Sequence, residues 1–322
     1  MWRVQNRIEN RVDEVVMEAE AYHIVPDASI AIAPSFGCNL FSWIVDGQPL
    51  LYFPEPLPQL DAPFFVGGNP ILFPSVGRTW DRSQKEPIAD AYHIHGCADT
   101  FEMPVHGLGL LAEWVKRREH VSEELACIEY AQHVPGEVRA KHYPFDVELS
   151  ITYRVSARKI EMEACVRNQG AKAAPFALGF HPYFKIARKE DVEVSLPCTK
   201  QVILDHKLLI PAGEAPLEEP KFHLESDRRY NAVFSGVAGP CASITDTNAG
   251  WRIRIHANDM IEAFVLSAKP GMPHVCVEPW TKGLGNYEML AKANWQDGGY
   301  LNVLKPDEAR AIEVAYSFET VG

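Results

Sequence analysis

Long apolar runs are missing from this 322-residue chain. No stretch reaches the ~18 residues a helix needs to span a bilayer. The opening residues Met1-Trp2-Arg3-Val4-Gln5-Asn6-Arg7 are charged and lack the apolar segment of a secretory signal. A cytoplasmic protein with no membrane partner is the expectation. Positive charge is also short: 31 Lys and Arg against 43 Asp and Glu leave a formal net charge of −12. Such a balance argues against a nucleic-acid partner or an anionic membrane surface, although it leaves room for a small basic pocket. Paired cysteine motifs are absent. Cys38, Cys97, Cys127, Cys165, Cys198, Cys241 and Cys276 are odd in number, scattered and without a C-x-x-C, which suits free thiols in a reducing compartment. Helical periodicity is the last scarcity. Only residues 117–126 and 285–293 read as helices, and both are short.

What the chain has instead is alternation. Val147, Leu149, Ile151, Tyr153 and Val155 fall on one face of an extended segment, with Asp146, Glu148, Ser150, Thr152 and Arg154 on the other. Ile160, Met162, Ala164 and Val166 repeat the pattern against Glu161, Glu163, Cys165 and Arg167. A link over 156–159 makes the two an antiparallel hairpin. Residues 241–246 and 251–256 form a second hairpin across Thr247-Asn248-Ala249-Gly250. Further strands are expected over 28–33, 39–45, 50–53, 174–180, 192–196, 261–268, 274–277 and 310–318. Many short strands punctuated by Pro and Gly, with no β–α alternation, predict an all-β protein built as a large antiparallel sandwich. There is no internal repeat and no linker, so residues 1–322 are expected to form one domain, with 1–27 as an N-terminal extension or edge strand. Residues 53–63 and 81–90 read as long loops, and 202–224 as an irregular connection.

Three stretches hold candidate chemistry. In Gly179-Phe180-His181-Pro182-Tyr183-Phe184, an apolar strand ends on a single imidazole. Burial disfavours its charged form and a nearby carboxylate restores it, so it is open to tuning as a proton donor or acceptor. A core histidine bonded to a carbonyl is the plain alternative. In Val275-Cys276-Val277-Glu278-Pro279-Trp280, Glu278 follows an apolar strand and precedes an indole. A carboxylate is rarely buried there without a reason, and it suits a general base. Trp280 either packs in the core or closes a pocket. Gly67-Gly68-Asn69-Pro70-Ile71-Leu72-Phe73-Pro74 leads to Gly77-Arg78, which matches neither a dinucleotide fingerprint nor a P-loop. Arg78 is a surface charge or a forked donor to ligand oxygens. His106 stands in the loop Pro104-Val105-His106-Gly107. His93 and His95 form H-x-H without a third ligand at convincing spacing, so no metal is expected. Asp227 sits among polar residues in Glu225-Ser226-Asp227-Arg228-Arg229-Tyr230.

Taken together and in order, Gly67-Gly68-Asn69-Pro70-x-Leu72-Phe73-Pro74, His106-Gly107, His181-Pro182-Tyr183-Phe184 and Glu278-Pro279-Trp280-Thr281 resemble the aldose 1-epimerase family, over about residues 28–318. The resemblance implies a galactose-mutarotase-like β supersandwich and a small sugar as partner, with no cofactor. It implies Glu278 as the general base on the anomeric hydroxyl, His181 as the general acid at the ring oxygen, and His106 as a second histidine that contacts the sugar and assists at the ring oxygen. Arg78, Asn69, Asp227 and Trp280 are the substrate-binding positions it implies, with Asp246 as the alternative to Asp227. One departure bears on the substrate. The branch acting on hexose 6-phosphates has an Arg before Gly-Gly, and here Val66 stands in that place, which favours an unphosphorylated aldose. A hexose-6-phosphate 1-epimerase and a non-catalytic sugar-binding protein on the same fold are the other readings. A basic cluster at Arg78, Lys85 or Lys185 is the feature that favours the phosphosugar.

Overall fold

The computed structural model describes residues 11–12, 15–16, 20–25, 28–54, 67–81, 86–109, 112, 114–122, 125–133, 136–239, 241–282, 286–297 and 301–321. Two large antiparallel sheets make up most of it. One has nine strands, in the order Val115–Val121, Ala126–His133, Val147–Ser156, Lys159–Asn168, Ala309–Thr320, Trp251–Ala257, Cys241–Asp246, Val192–Ser195 and Lys221–His223. The other has eight. Its path runs Pro211–Pro216, Cys198–Leu204, Tyr230–Val237, Ala263–Ala268, His274–Trp280, Gly179–Phe180 and Ile71–Leu72, with Tyr183–Lys185 also paired to His274–Trp280. A four-stranded sheet, Glu20–Val25, Ala28–Ala33, Asn39–Val45 and Gln48–Pro49, adds the N-terminal part.

The period-2 pattern decides which side chains enter the space between the large sheets. Leu149, Ile151 and Tyr153 from the nine-stranded sheet share one core cluster with Phe180, Phe184, Phe264, Leu266, Val275 and Val277 from the other. Ile30, Ile32, Leu40, Trp43 and Val45 of the N-terminal sheet join the same cluster. Each such side chain contributes about 1.5–3 kcal/mol by leaving water. The outer face of the nine-stranded sheet is polar, and its charges are matched across strands: Arg154–Glu163 at 2.8 Å, Arg117–Glu148 at 2.5 Å and Arg118–Glu129 at 3.0 Å.

The eight-stranded sheet differs. Every residue of His274–Trp280 is buried, so both of its faces are covered. Val275 and Val277 point to the main core. Trp280 falls in a second cluster with Ala263, Val265, Val233 and Leu72 on the opposite side. Glu278 is two residues from Trp280 and therefore belongs to that second face.

Three local expectations need correction. Residues 117–126 are not a helix: Val115–Val121 and Ala126–His133 are adjacent strands. The first is exposed on both faces at the sheet edge, so it lacks apolar alternation. Its Lys116–Glu119 pair at 2.7 Å imitates helical i,i+3 spacing. Residues 202–224 hold the end of Cys198–Leu204 and all of Pro211–Pro216 and Lys221–His223 rather than an irregular connection. Within 81–90, Trp80–Asp81 pairs with Ile88–Ala89. The helix expected over 285–293 is present as a 3-10 segment, Asn286–Ala291. Of the expected loop at 53–63, residues 55–63 lie outside the described residues. Among the described residues no helix is long and apolar enough to cross a membrane, and all seven cysteines are free.

Candidate active site

Cross-strand register assembles the site on the second face of the eight-stranded sheet. Val265 pairs with Glu278, Val233 with Val265, and Gly179 with Trp280. The chain leaves that last pairing at Phe180, and the His181 backbone N–H donates to the Pro70 carbonyl at 3.0 Å. Pro182 then holds the turn into Tyr183–Lys185, which returns to the same central strand with Tyr183 opposite Cys276. His181 and Glu278, 97 residues apart in sequence, meet with Nε2 3.2 Å from Oε1. Their side chains are 13% and 2% exposed.

They line a cavity of about 460 Å³, along with Arg78, His106, Tyr183, Asn231, Ser267, Lys269, His274 and Trp280. That volume lies within the ~300–1,000 Å³ of small-molecule sites. A larger and more open cleft of about 730 Å³ lies beside residues 296–310. It brings no acid–base pair together, and its Arg310 is already paired with Glu308 at 2.6 Å.

Burial sets the proton affinities. It holds Glu278 well above the ordinary carboxylate value, and the Trp280 indole N–H opposes that shift without an ordinary hydrogen bond. It holds His181 well below the ordinary imidazole value, with the nearby His106 adding to the effect. Both groups are pushed toward their neutral forms, carboxylic acid and imidazole, which together hold one proton. Carboxylic acid plus imidazole, and carboxylate plus imidazolium, are two arrangements of that one proton across 3.2 Å. Among the described residues His181 Nδ1, Glu278 Oε2 and Trp280 Nε1 have no hydrogen-bond partner, which is a costly condition for buried polar atoms outside a working site.

His106 has a different part. Its Nδ1 accepts the Gly77 backbone N–H at 3.1 Å, and its own backbone N–H returns a bond to the Gly77 carbonyl at 2.9 Å. The ring is therefore the Nε2–H tautomer, and burial depresses it to about 4. It is a neutral hydrogen-bond donor, standing edge-on to His181 at 5.4 Å and to Trp280 at 6.0 Å. The following residue must be glycine. Gly107 has φ +79°, and a Cβ there would meet the Phe73 carbonyl oxygen at 2.3 Å. Gly179 is a second close approach, because a Cβ would stand 2.4 Å from Trp280 Cδ1. The bare backbone at 179 is what lets the indole approach the chain so closely.

Of the binding positions expected from sequence, Arg78 and Trp280 line the cavity. Arg78 is also tied to Asp90 at 3.2 Å. Asn69 lies beneath the site rather than in it. It is fully buried, accepts the Tyr316 hydroxyl at 3.3 Å, donates its backbone N–H to the Asn39 side-chain oxygen at 2.8 Å, and so anchors the segment that carries Pro70. Asp227 is exposed and does not line the cavity. Its alternative Asp246 is buried elsewhere, where it accepts the Ala249 backbone N–H at 2.8 Å. Neither acid reaches this sugar-sized space. Lys185 is exposed and does not line it, and Lys85 and Val66 lie outside the described residues.

Sequence reasoning missed Tyr183, Asn231, Ser267, Arg229, Lys269 and His274, all of which line the cavity. Counting back by twos from Glu278 reaches Cys276 and His274, so alternation held a signal for His274. Its ring stacks on Tyr52 at 4.9 Å, and burial lowers it to about 4. His181, Cys276 and Glu278 bring ligand-type atoms within 4.8 Å of one another. Burial raises the Cys276 thiol well above its ordinary value, so it stands beside the pair as a neutral group. His93 and His95 join no such group among the described residues.

The fold is a large antiparallel β sandwich with an acid–base pair in a cavity on one sheet, and comparison with known proteins supplies the family. The aldose 1-epimerase family model matches residues 22–317. The chain belongs to the aldose 1-epimerase family. No curated protein matches it in sequence. Its backbone is similar to that of Slr1438 from Synechocystis sp. PCC 6803, at TM-score 0.77 and 22% identity over 99% of this chain and 100% of that one. It is similar to a galactose mutarotase-like protein from Clostridium acetobutylicum, at TM-score 0.78 and 17% identity over 95% and 96%. Galactose 1-epimerase from Lactobacillus acidophilus NCFM is also similar, at TM-score 0.72 and 16% identity over 97% of both.

Proposed function

We propose that this protein is an aldose 1-epimerase that interconverts the α and β anomers of a hexose or a related sugar by acid–base ring opening. Glu278, as carboxylate, takes the proton from the anomeric hydroxyl. His181, as imidazolium, delivers a proton to the ring oxygen. The C1–O5 bond breaks, its electron pair goes to the protonated oxygen, and C1 becomes an aldehyde carbon. Rotation about C1–C2 presents the other carbonyl face. Closure then returns a proton from Glu278 and restores one to His181. No net proton is consumed, so a pair holding a single shared proton suffices. His106 donates Nε2–H to the same oxygen, and Arg78 and Trp280 hold the ring.

The observation that carries this reading is the His181–Glu278 approach at 3.2 Å inside a cavity, with each group pushed toward its neutral form. A sugar-binding protein without turnover has no use for such a pair. A reducing, cytoplasmic setting suits seven free thiols. The deciding experiment is anomer exchange followed by NMR on a panel of free and phosphorylated aldoses. Acceleration of at least one sugar above its spontaneous rate is expected. If native protein accelerates none of them, the reading is wrong.

A further inference from the structure

Resting on that reading of the site, we propose that the end of the cavity remote from Glu278 is an anion subsite built from Arg229 and Lys269. The aldose this protein takes then carries a negatively charged group away from its anomeric carbon.

The sheet register sets the distances. On the site face, Val265 stands opposite Glu278, Ser267 opposite Cys276, and Asn231 opposite Ser267. Tyr230 pairs with Ala268, so continuing the register puts Arg229 beside Lys269, one same-face step beyond Asn231 and Ser267. Two such steps separate this pair from the Glu278 row, about 13 Å at ~3.3 Å per residue. Long side chains reaching back along the face leave about the width of one pyranose. An exocyclic substituent would then meet the cations while C1 meets the acid–base pair.

Charge points the same way. The cavity is lined by Arg78, Arg229 and Lys269, and Glu278 is its only carboxylate among the described residues. Arg78 is engaged by Asp90. The Arg229 and Lys269 side chains make no ion pair or hydrogen bond with any described residue. Both cations stand at one wall of the cavity in a chain of net charge −12, while adjacent Arg228 is held by Glu225 at 3.0 Å. Guanidinium and ammonium groups are the side chains that recognise carboxylate and phosphate.

The wall is also fixed. Lys189, only 6% exposed, donates to the Arg228 carbonyl and to the Ala268 carbonyl at 3.4 Å, and lies 5.1 Å from the centre of the Tyr230 ring. A buried ammonium therefore clamps the residues immediately before Arg229 and Lys269. Lys189 acts as a positioning residue for both. Lys269 is also within electrostatic reach of His181 and His274, where its charge disfavours an imidazolium. A bound anion would cancel that field and favour the protonated His181 that ring opening needs.

The test compares glucose, glucuronate and glucose 6-phosphate, each as catalysed over spontaneous exchange. The native protein is expected to prefer at least one anionic sugar by 10-fold or more in kcat/KM, and added salt should reduce that ratio. Glucuronate alone would mark a carboxylate site, and glucose 6-phosphate alone a phosphate site. Arg229→Gln with Lys269→Gln should lower the anionic-to-neutral ratio at least 10-fold, chiefly through KM. Lys189→Met should lower it too, with recovery in Lys189→Arg. The same sugars titrated into Glu278→Gln protein report binding alone. Anion-preferring binding there, with no exchange by native protein, would keep the subsite and defeat the epimerase reading. Equal handling of the three sugars in both experiments, or a double variant with an unchanged ratio, overturns the subsite.

Discussion

Glu163 and Glu278 sit on the two large sheets of one molecule under opposite conditions. Glu163, on the outer face of the nine-stranded sheet, is 37% exposed and held by Arg154 at 2.8 Å. Glu278, on the site face of the eight-stranded sheet, is 2% exposed beside an imidazole that burial keeps from charging. On the first sheet Arg154, Arg117 and Arg118 are answered from other strands, and water screens the remainder. On the second, polar atoms are buried and left unanswered. A surface pair of the first kind contributes little. A buried, unsatisfied set of the second kind costs stability, and a protein keeps it where it serves chemistry.

Substitution sharpens the contrast. The largest effect is expected from Glu278→Gln. Loss of a general base should cut turnover by about 10²–10⁴-fold, with a melting temperature unchanged or raised, as read by NMR exchange and calorimetry. A turnover close to native would break the comparison. Leu266→Ala, on the core face of the same sheet, should do the reverse: a loss of about 2–5 kcal/mol in denaturant unfolding, with exchange per folded molecule retained. Gly179→Ala forces a methyl onto the Trp280 indole. A loss of about 1–3 kcal/mol is expected, along with a rise in KM.

Acidity gives a graded version. His106 and His274 are held at about 4, and His181 is also held low, all chiefly by burial. Below the ordinary imidazole value of ~6.5 the unfolded chain binds protons that the folded chain refuses. Stability should therefore fall as pH drops from neutral toward 4. Glu278 works in the opposite sense. Its folded value is raised, so the stability linked to its proton is present below the ordinary glutamate value and lost as pH climbs through the folded value. Melting temperature against pH should rise from about 4 as the histidine contribution returns, and Glu278→Gln should remove the opposing decline that sets in above the ordinary glutamate value. The smallest effect is expected from Glu163→Gln: about 1 kcal/mol or less, with no change in exchange.

The same contrast explains how much could be read from sequence. Inner strands of the nine-stranded sheet have one dry and one wet face, so alternation located Val147–Ser156 and Lys159–Asn168 to within a residue or two at each end. The doubly covered strand His274–Trp280 has no such alternation. Glu278 stood out there because a carboxylate amid apolar residues is conspicuous, and family resemblance joined it to His181 and His106. Arg229 and Lys269 looked like ordinary surface cations, because nothing local records that a strand pairing turns them toward a cavity. Asp227 erred the other way: its polar neighbourhood suited a binding loop, and the fold leaves it facing solvent. The edge strand Val115–Val121 misled because it has no dry face to mark it.

The missing side chain at residue 179 and the indole at residue 280 are bound by a rule that extends beyond this molecule. At 2.4 Å, the space for one is the space of the other. A relative with the same backbone that gains a methyl group at the first position has to exchange the tryptophan for something slimmer, and one that keeps the tryptophan has to keep the glycine. The two positions should therefore drift as a couple through the lineage, a signature that can be sought in any set of aligned descendants without solving another fold.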